Sequence, residues 1–382
     1  MILNYKYRLY PTKEQESKLN QQFFISNQSW NHGLNIKIKN LKRKNGFTST
    51  KLIEKSIKDN FKKRKISGHS GIIQMSIRKL EDTLKIFFKN KDDFSFPKFK
   101  DSSKTEQGFE FKNQGIQIQE KYFKILKMKI NWKYHREIPD FPKKIIIKRE
   151  SDGKYYVIFS VETTKKVLDK TGVNCGIDCN IKNISVADSN GNSYLEIIQK
   201  MAKYDKKYRK IEKKLSVRYE KKSKTKNTKK MQKKLNKIHK KVRNVKEDFY
   251  HKTSKSIVEN FDLIRVEKLD KKKMKETAPS KRLRKDIAEV SWDSLIQKIK
   301  YKAEKHGKVF EEINPAYTSQ RCNSCGYISR KNRRSQDKFE CHLCLHKDNA
   351  DINAAKNILE YDSWHLEQIA RWDSRHIESL VV

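Results

Sequence analysis

The sequence predicts a multi-domain α/β protein, and three observations carry that prediction. A helix-patterned stretch separates two β-rich ones in the first half. In the second half apolar, strand-like runs alternate with amphipathic helical ones, and two of those strands end in acids. Two Cys-x-x-Cys pairs stand between the last strand and the last helix. With 382 residues the chain has room for two or three domains, each with a core of its own.

Charge narrows the class of partner. Lys and Arg number 89 against 46 Asp and Glu, a formal charge of +43. Self-repulsion on that scale opposes a compact state, so a polyanion is the economical partner. Mean hydropathy is −0.94 and no apolar run has spanning length, which favours nucleic acid over a membrane. The opening MILNYKYRLYP interleaves charge and aromatics too early for a signal segment. A cytoplasmic protein is therefore expected, with no membrane partner.

Residues 2–10 alternate and are rich in Tyr, Leu and Ile, so they predict a strand that stops at Pro11. Thr12 with Gln15 forms a capping-box signature opening a helical region that reaches about Asn90, broken near Lys44–Gly46 and Ser67–Gly71. Within it Ile73, Ile77, Leu80, Leu84 and Phe87-Phe88 recur every three or four residues from Ile72 onward. From Phe94 the period changes. Lys144–Lys148 and Tyr155–Val161 read as strands joined through Asp152-Gly153, a hairpin turn. A small β-barrel completed by the N-terminal strand, with the helices inserted, fits best, because residues 2–10 alone have no sheet to join.

Val173–Asp188 reads as a strand carrying Asp178, then a second strand, with a turn at Asn190-Gly191. Met201, Tyr204, Tyr208, Ile211 and Leu215, then Met231, Leu235, Ile238, Val242 and Val245, predict a basic helical hairpin across 198–246 with a break at Ser223–Thr228. Phe261–Lys268 is a strand finishing at Glu267. Residues 270–286 read as a mobile basic loop, and Ser291 as the cap of a helix closed by Gly307. Val309–Ile313 is a short strand, and Asp351–Leu359 a helix with Asp351 in its first turn, as cap or ligand. Trp364 and Trp372 in the tail serve no evident purpose.

Two chemistries follow. Cys322-x-x-Cys325 and Cys341-x-x-Cys344 have the spacing of two knuckles holding one tetrahedral Zn²⁺; four thiolates close the shell, so the site is structural. Cys175 and Cys179 read as small buried residues, and His342 and His346 are not needed as ligands. Asp178 alone could be a surface acid in a hairpin. Together with strand-end Glu267 and helix-start Asp351 it suggests a carboxylate cluster at one edge of a mixed sheet, a donor set suited to Mg²⁺ or Mn²⁺ and to phosphodiester hydrolysis.

GIDCNIKN, VEKL around Glu267, YTSQRCNSCG (Tyr317–Gly326) and DINAAKNIL resemble the signature of the TnpB family, insertion-sequence RuvC-like nucleases related to compact type V CRISPR effectors. RLYPT, FPKFK and the Ile72–Lys89 helix are also similar, so the resemblance reaches about residue 360. It implies a wedge-type β-barrel (1–12 and 91–166), a helical recognition lobe (13–90), and an RNase H-like RuvC domain (167–315 and 347–360). A zinc ribbon (316–346) and a tail (361–382) complete the scheme. The implied activity is RNA-guided cleavage of double-stranded DNA beside a short motif, with Asp178, Glu267 and Asp351 as the metal-binding acids. Cys179, and Leu345-His346 in place of the second knuckle's glycine, depart from the family pattern. A non-cleaving RNA-guided DNA-binding regulator and a carboxylate-metal transposase are the alternatives.

Overall fold

The computed structural model describes residues 1–43, 48–112, 115–181, 183–197, 209–217, 226–289, 292–335 and 337–362. The expected turn at 44–46, the basic hairpin's first helix up to 208, its break at 223–225, the Ser291 cap and the tail from 363 lie outside the described residues. The chain forms two compact units, Met1–Thr163 and Thr164–Val382.

The first unit is built on a seven-stranded sheet. Its strands are β1 (Ile2–Tyr10), β2 (Gln107–Lys112), β3 (Gln117–Ile118), β4 (Tyr122–Ile125), β5 (Met128–Lys133), β6 (Lys144–Arg149) and β7 (Tyr155–Glu162), in the order β2-β6-β7-β1-β5-β4-β3. The N-terminal strand thus sits in the middle, as its lack of a local partner required. The expected barrel closure is absent among the described residues: β2 and β3 stand at opposite edges of the sheet and no pairing joins them. Gly153 turns the β6–β7 hairpin with φ of 82°, a conformation glycine adopts without a Cβ clash.

Helices Lys13–Lys42 and Ser70–Lys89 pack on this sheet, and Thr50–Lys63 packs on both of them. The capping box at Thr12 and Gln15 is formed as read. Inward positions of alternate strand residues (Tyr7, Leu9, Phe109, Phe159) share one core with Leu19, Phe23, Ile73 and Ile77 from the helices. Phe88, placed on the apolar face by its spacing, is instead exposed.

The second unit contains a five-stranded sheet: β8 (Asn174–Cys179), β9 (Asn183–Asp188), β10 (Ser193–Ile197), β11 (Leu263–Glu267) and β12 (Val309–Ile313), in the order β10-β9-β8-β11-β12. The first three are antiparallel, whereas β11 runs parallel to both β8 and β12. Parallel neighbours need long crossovers, and helices Lys226–Asn260 and Trp292–His306 supply them. One face of the sheet packs Ile177, Val186, Ile264 and Val266 against Tyr250, Ile257, Leu295 and Ile299 from these helices.

The other face of β8 receives helix Ala350–Leu359. Gly176 makes this possible, since a Cβ there would lie 2.2 Å from the Ala355 carbonyl oxygen and 2.4 Å from the Leu359 nitrogen. Arg265 fastens the same helix's end, donating to the Leu359 carbonyl oxygen at 2.7 Å and to Glu311 at 2.8 Å.

The loop expected at 270–286 is instead two short helices, Lys271–Thr277 and Lys281–Glu289. Asp270 caps the first, and Ile287 and Ala278 are buried in the core. A small strip of apolar residues suffices to dock helices this short, and it was hidden among lysines.

Candidate active site and four-cysteine centre

Register places two of the candidate acids side by side. Ile177 on β8 pairs with Val266 on β11 in parallel, so the next residue on each strand, Asp178 and Glu267, comes at the same level. Asp178 is the penultimate residue of β8 and only 8% exposed, not the open strand end expected from sequence. Asp351 arrives from the helix docked on β8 and is 3% exposed. The helix's cap is Asn349, whose side chain accepts from the Asp351 and Ile352 N–H groups, leaving the Asp351 carboxylate free of capping duty.

Each carboxylate has an orienting partner. Asn180 donates to Asp178 Oδ2 at 2.9 Å, and Asn183 donates to Asp351 Oδ2 at 3.3 Å. Thr318 donates its hydroxyl to Glu267. Arg333, which the sequence reading missed, pairs with Asp351 Oδ1 at 3.1 Å. It lies in the basic run RKNRR between the knuckles, where nothing in the sequence separates it from a surface charge. Thr318 lies in YTSQRCNSCG, where nothing distinguishes a threonine that meets a carboxylate from one that meets water.

Glu267 and Asp351 both act electrostatically on Asp178. Burial, then the charges of Glu267 and Asp351, push the Asp178 carboxyl up to about 8. Burial also raises Glu267, against the hydroxyl of Thr318 and the charge of Arg333. Confined carboxylates that repel each other in a dry site take up a proton or a cation. Their hard oxygen donors suit a small divalent ion. Among the described residues, the three carboxylates are not gathered into a ready ligand group as the sulfurs described next are.

The four cysteine sulfurs all lie within 4.8 Å of one another. Cys322 and Cys344 sulfurs are 3.7 Å apart, and those of Cys325 and Cys341 3.6 Å. The edge of a tetrahedron with metal–sulfur bonds of about 2.3 Å is roughly 3.8 Å, so the spacing fits a single tetrahedral ion. The N–H groups of Leu343 and Cys344 point at the Cys341 sulfur. The His346 N–H draws the Cys344 thiol down to about 7, which favours the thiolate a metal needs. The strand pair β13 (Lys338–Glu340) and β14 (Lys347–Asn349) carries the second knuckle directly into the Asp351 helix.

A basic, aromatic face lies on the first unit's sheet. Opposed residues Gly108, Lys148, Tyr156, Arg8 and Lys133 form a row across five strands. Lys6 and Arg8 sit 4.3 and 5.3 Å from the Tyr156 ring centre. Beside them a cleft of about 540 Å³ is lined by Lys79, Phe99, Lys100, Lys104, Gln107 and Lys148.

Three family models match separate stretches of the chain. One described as "Cas12f1-like, TNB domain" covers residues 292–358, one described as "Probable transposase" covers 158–278, and one described as "Helix-turn-helix domain" covers 1–46. The last stretch holds a strand and one long helix in this structure. The chain is 26% identical over 305 residues to a protein of Escherichia coli (strain K12) named "Putative RNA-guided DNA endonuclease InsQ", covering 75% of this chain and 73% of that one. It is 53% identical over 64 residues to "CRISPR-associated endodeoxyribonuclease Cas12f1" of Sulfoacidibacillus thermotolerans, covering 17% of this chain and 15% of the relative. Among solved structures, the Cas12f1 chain of a "Cas12f1-sgRNA-target DNA complex" matches with a TM-score of 0.60 at 15% identity, covering 91% of this chain and 83% of that chain. That match speaks to the fold. Among the described residues, no helix is long and apolar enough to cross a membrane.

Proposed function

We propose that this chain, a relative of the TnpB proteins and of the compact Cas12f nucleases, is an RNA-guided DNA endonuclease. It binds a guide RNA, pairs it with target double-stranded DNA, and cleaves a phosphodiester bond at Asp178, Glu267 and Asp351. The observation that carries this reading is the convergence of those three acids, from two parallel strands and one helix, in a chain of charge +43.

In this reading residues 1–12 and 91–166 form the wedge-type body, 13–90 the recognition lobe, 167–315 and 347–360 a RuvC-like nuclease of RNase H type, and 316–346 a zinc ribbon. Cys322, Cys325, Cys341 and Cys344 hold a structural Zn²⁺. Asp178, Glu267 and Asp351 hold Mg²⁺ or Mn²⁺. Such an ion, when bound, lowers the pKa of an attacking water and offsets charge developing on the phosphate. The protein's own part is positioning. Asn180, Asn183 and Thr318 fix the carboxylate orientations, and burial keeps bulk water from screening them. Arg333, already held at Asp351, is placed to meet a phosphate oxygen. The guide is gripped through backbone charge, and sequence is read by base pairing.

The test is to purify the protein from cells carrying its flanking DNA, sequence the RNA that accompanies it, and assay cleavage with that RNA. A discrete RNA is expected. Alanine at Asp178, Glu267 or Asp351 should abolish cleavage and leave RNA affinity within about threefold, because the acids face the metal and not the guide. A folded wild-type protein without enriched RNA, or an alanine variant that still cuts, would overturn the assignment.

A further inference from the structure

The DINAAKNIL motif carries two asparagines, Asn353 and Asn357, that the metal chemistry does not use. Both are fully buried, one turn apart on the helix that presents Asp351. Asn353 donates to the Arg321 carbonyl oxygen at 2.8 Å and accepts from the Asn323 N–H at 3.0 Å. Asn357 donates to the carbonyl oxygens of Thr318 at 2.9 Å and Arg321 at 2.7 Å, and accepts from the Arg321 guanidinium at 2.8 Å.

All of those partners lie in one segment, 318–323, which does two other things. At its start the Thr318 hydroxyl is donated to Glu267. Near its end Cys322 supplies the first knuckle's sulfur. Three of the loop's main-chain groups, the Thr318 and Arg321 carbonyls and the Asn323 N–H, are therefore bonded by the Asp351 helix, while its ends are tied to Glu267 and to the four-cysteine centre. From the second knuckle, Arg333 reaches Asp351, and the Ala350 N–H donates to the Asp337 carbonyl oxygen at 3.2 Å.

We propose that Asn353, Asn357 and Thr318 are positioning residues that splice the ribbon to the acid site, so that a closed ribbon sets the site's affinity for its divalent cation. The inference rests on the reading of Asp178, Glu267 and Asp351 as a metal site. A buried amide that satisfies loop main chain fixes that loop in one place. Partners one shell out from metal ligands set the affinity as well as the fold.

The experiment measures Mn²⁺ binding calorimetrically to the zinc-loaded 382-residue chain without nucleic acid, with zinc content and hydrogen exchange over 350–359 alongside. Asn357→Leu keeps the volume and removes the hydrogen bonds. It should weaken Mn²⁺ binding about 10–100-fold and speed exchange at the helix start, with one zinc per chain retained. Thr318→Val, which removes a hydroxyl bonded to Glu267 and to no residue of the helix, should weaken Mn²⁺ in the same direction, and Thr318→Ser should recover affinity by restoring the hydroxyl. Unchanged Mn²⁺ affinity in both folded Asn357→Leu and Thr318→Val overturns the splice. Asp178→Ala separates the premises: if it does not weaken Mn²⁺ binding, the carboxylate-site reading fails, whatever the asparagines do.

Discussion

Asp262 ties the start of β11 to the segments that lead into β8 and β12. It stands just before β11, where its carboxylate accepts from the N–H groups of Thr171 at 2.9 Å and Gly172 at 2.7 Å and from Lys308 at 2.5 Å. Burial alone would raise its pKa, but the Lys308 ammonium and the two backbone donors hold it down to about 2, below the ordinary value of 3.8. A depressed carboxyl stabilises the fold fully above its unfolded pKa, and that contribution is lost as pH falls through its folded pKa. Asp262→Asn should therefore cost about 1–3 kcal/mol near neutral pH. Its deficit against wild type should shrink between about pH 4 and pH 2. Urea melts at several pH values read this directly, and a deficit constant down to the lowest pH would refute it. At this scale sequence and structure divide unevenly. Asp178, Glu267 and Asp351 could be singled out because each stands near the end or the start of an element with a clear period. Arg333, Asn180 and Asn183 were not, since a polar residue in a turn or a basic run looks the same whether it faces water or a carboxylate.

Elements were readable where apolar spacing was strong. Ile2–Tyr10 and Val309–Ile313 have the bounds expected of them, and the four cysteines gather as their spacing suggested. Lys271–Thr277 and Lys281–Glu289 were missed because Met274, Leu283 and Ile287 anchor them almost alone. The basic hairpin was expected to break over Ser223–Thr228 and end near 246, yet one helix runs unbroken over Lys226–Asn260. Strand order was never in the sequence, because nothing local says that β1 pairs with β7 and β5. The ribbon is the element whose stability is most exposed to test. Its buried cluster is Cys322, Phe339, Cys341 and Ala350, too little apolar area to fold it unaided. The structural Zn²⁺ proposed above would supply the remainder, since binding to structural Cys sites is worth about 10–16 kcal/mol. Cys341→Ser should lose the zinc and leave amides across 316–346 unprotected in hydrogen exchange. Amides of β1 and β7, which lie in the first unit's core, should stay protected. Protection of the ribbon in a zinc-free protein would remove the structural role assigned to the four cysteines.

At the scale of the whole molecule, the charge of +43 makes salt act with opposite signs on two measurements. In the free chain the lysines and arginines repel one another, and raising ionic strength shortens the Debye length from about 10 Å at 0.1 M to about 3 Å at 1 M. Screening should relieve that repulsion and raise the melting temperature of the chain alone. Binding of guide RNA should respond the other way, because each neutralised phosphate releases a counterion that salt pushes back. For roughly six to ten phosphate contacts on a duplex, affinity falls about 10³–10⁵-fold between about 50 mM and 200 mM salt, and single strands respond somewhat less. The row of Arg8, Lys148 and Lys133 across the first unit's sheet is one place where such contacts can form. Removing a single one of these cations should lower the logarithmic salt slope by about one without changing which RNA is preferred. A melting curve and a filter-binding titration over the same salt series make the comparison. Affinity that holds steady while stability rises would mean that the charge serves some partner other than the RNA backbone. Both falling together would mean that charge repulsion does not limit the fold.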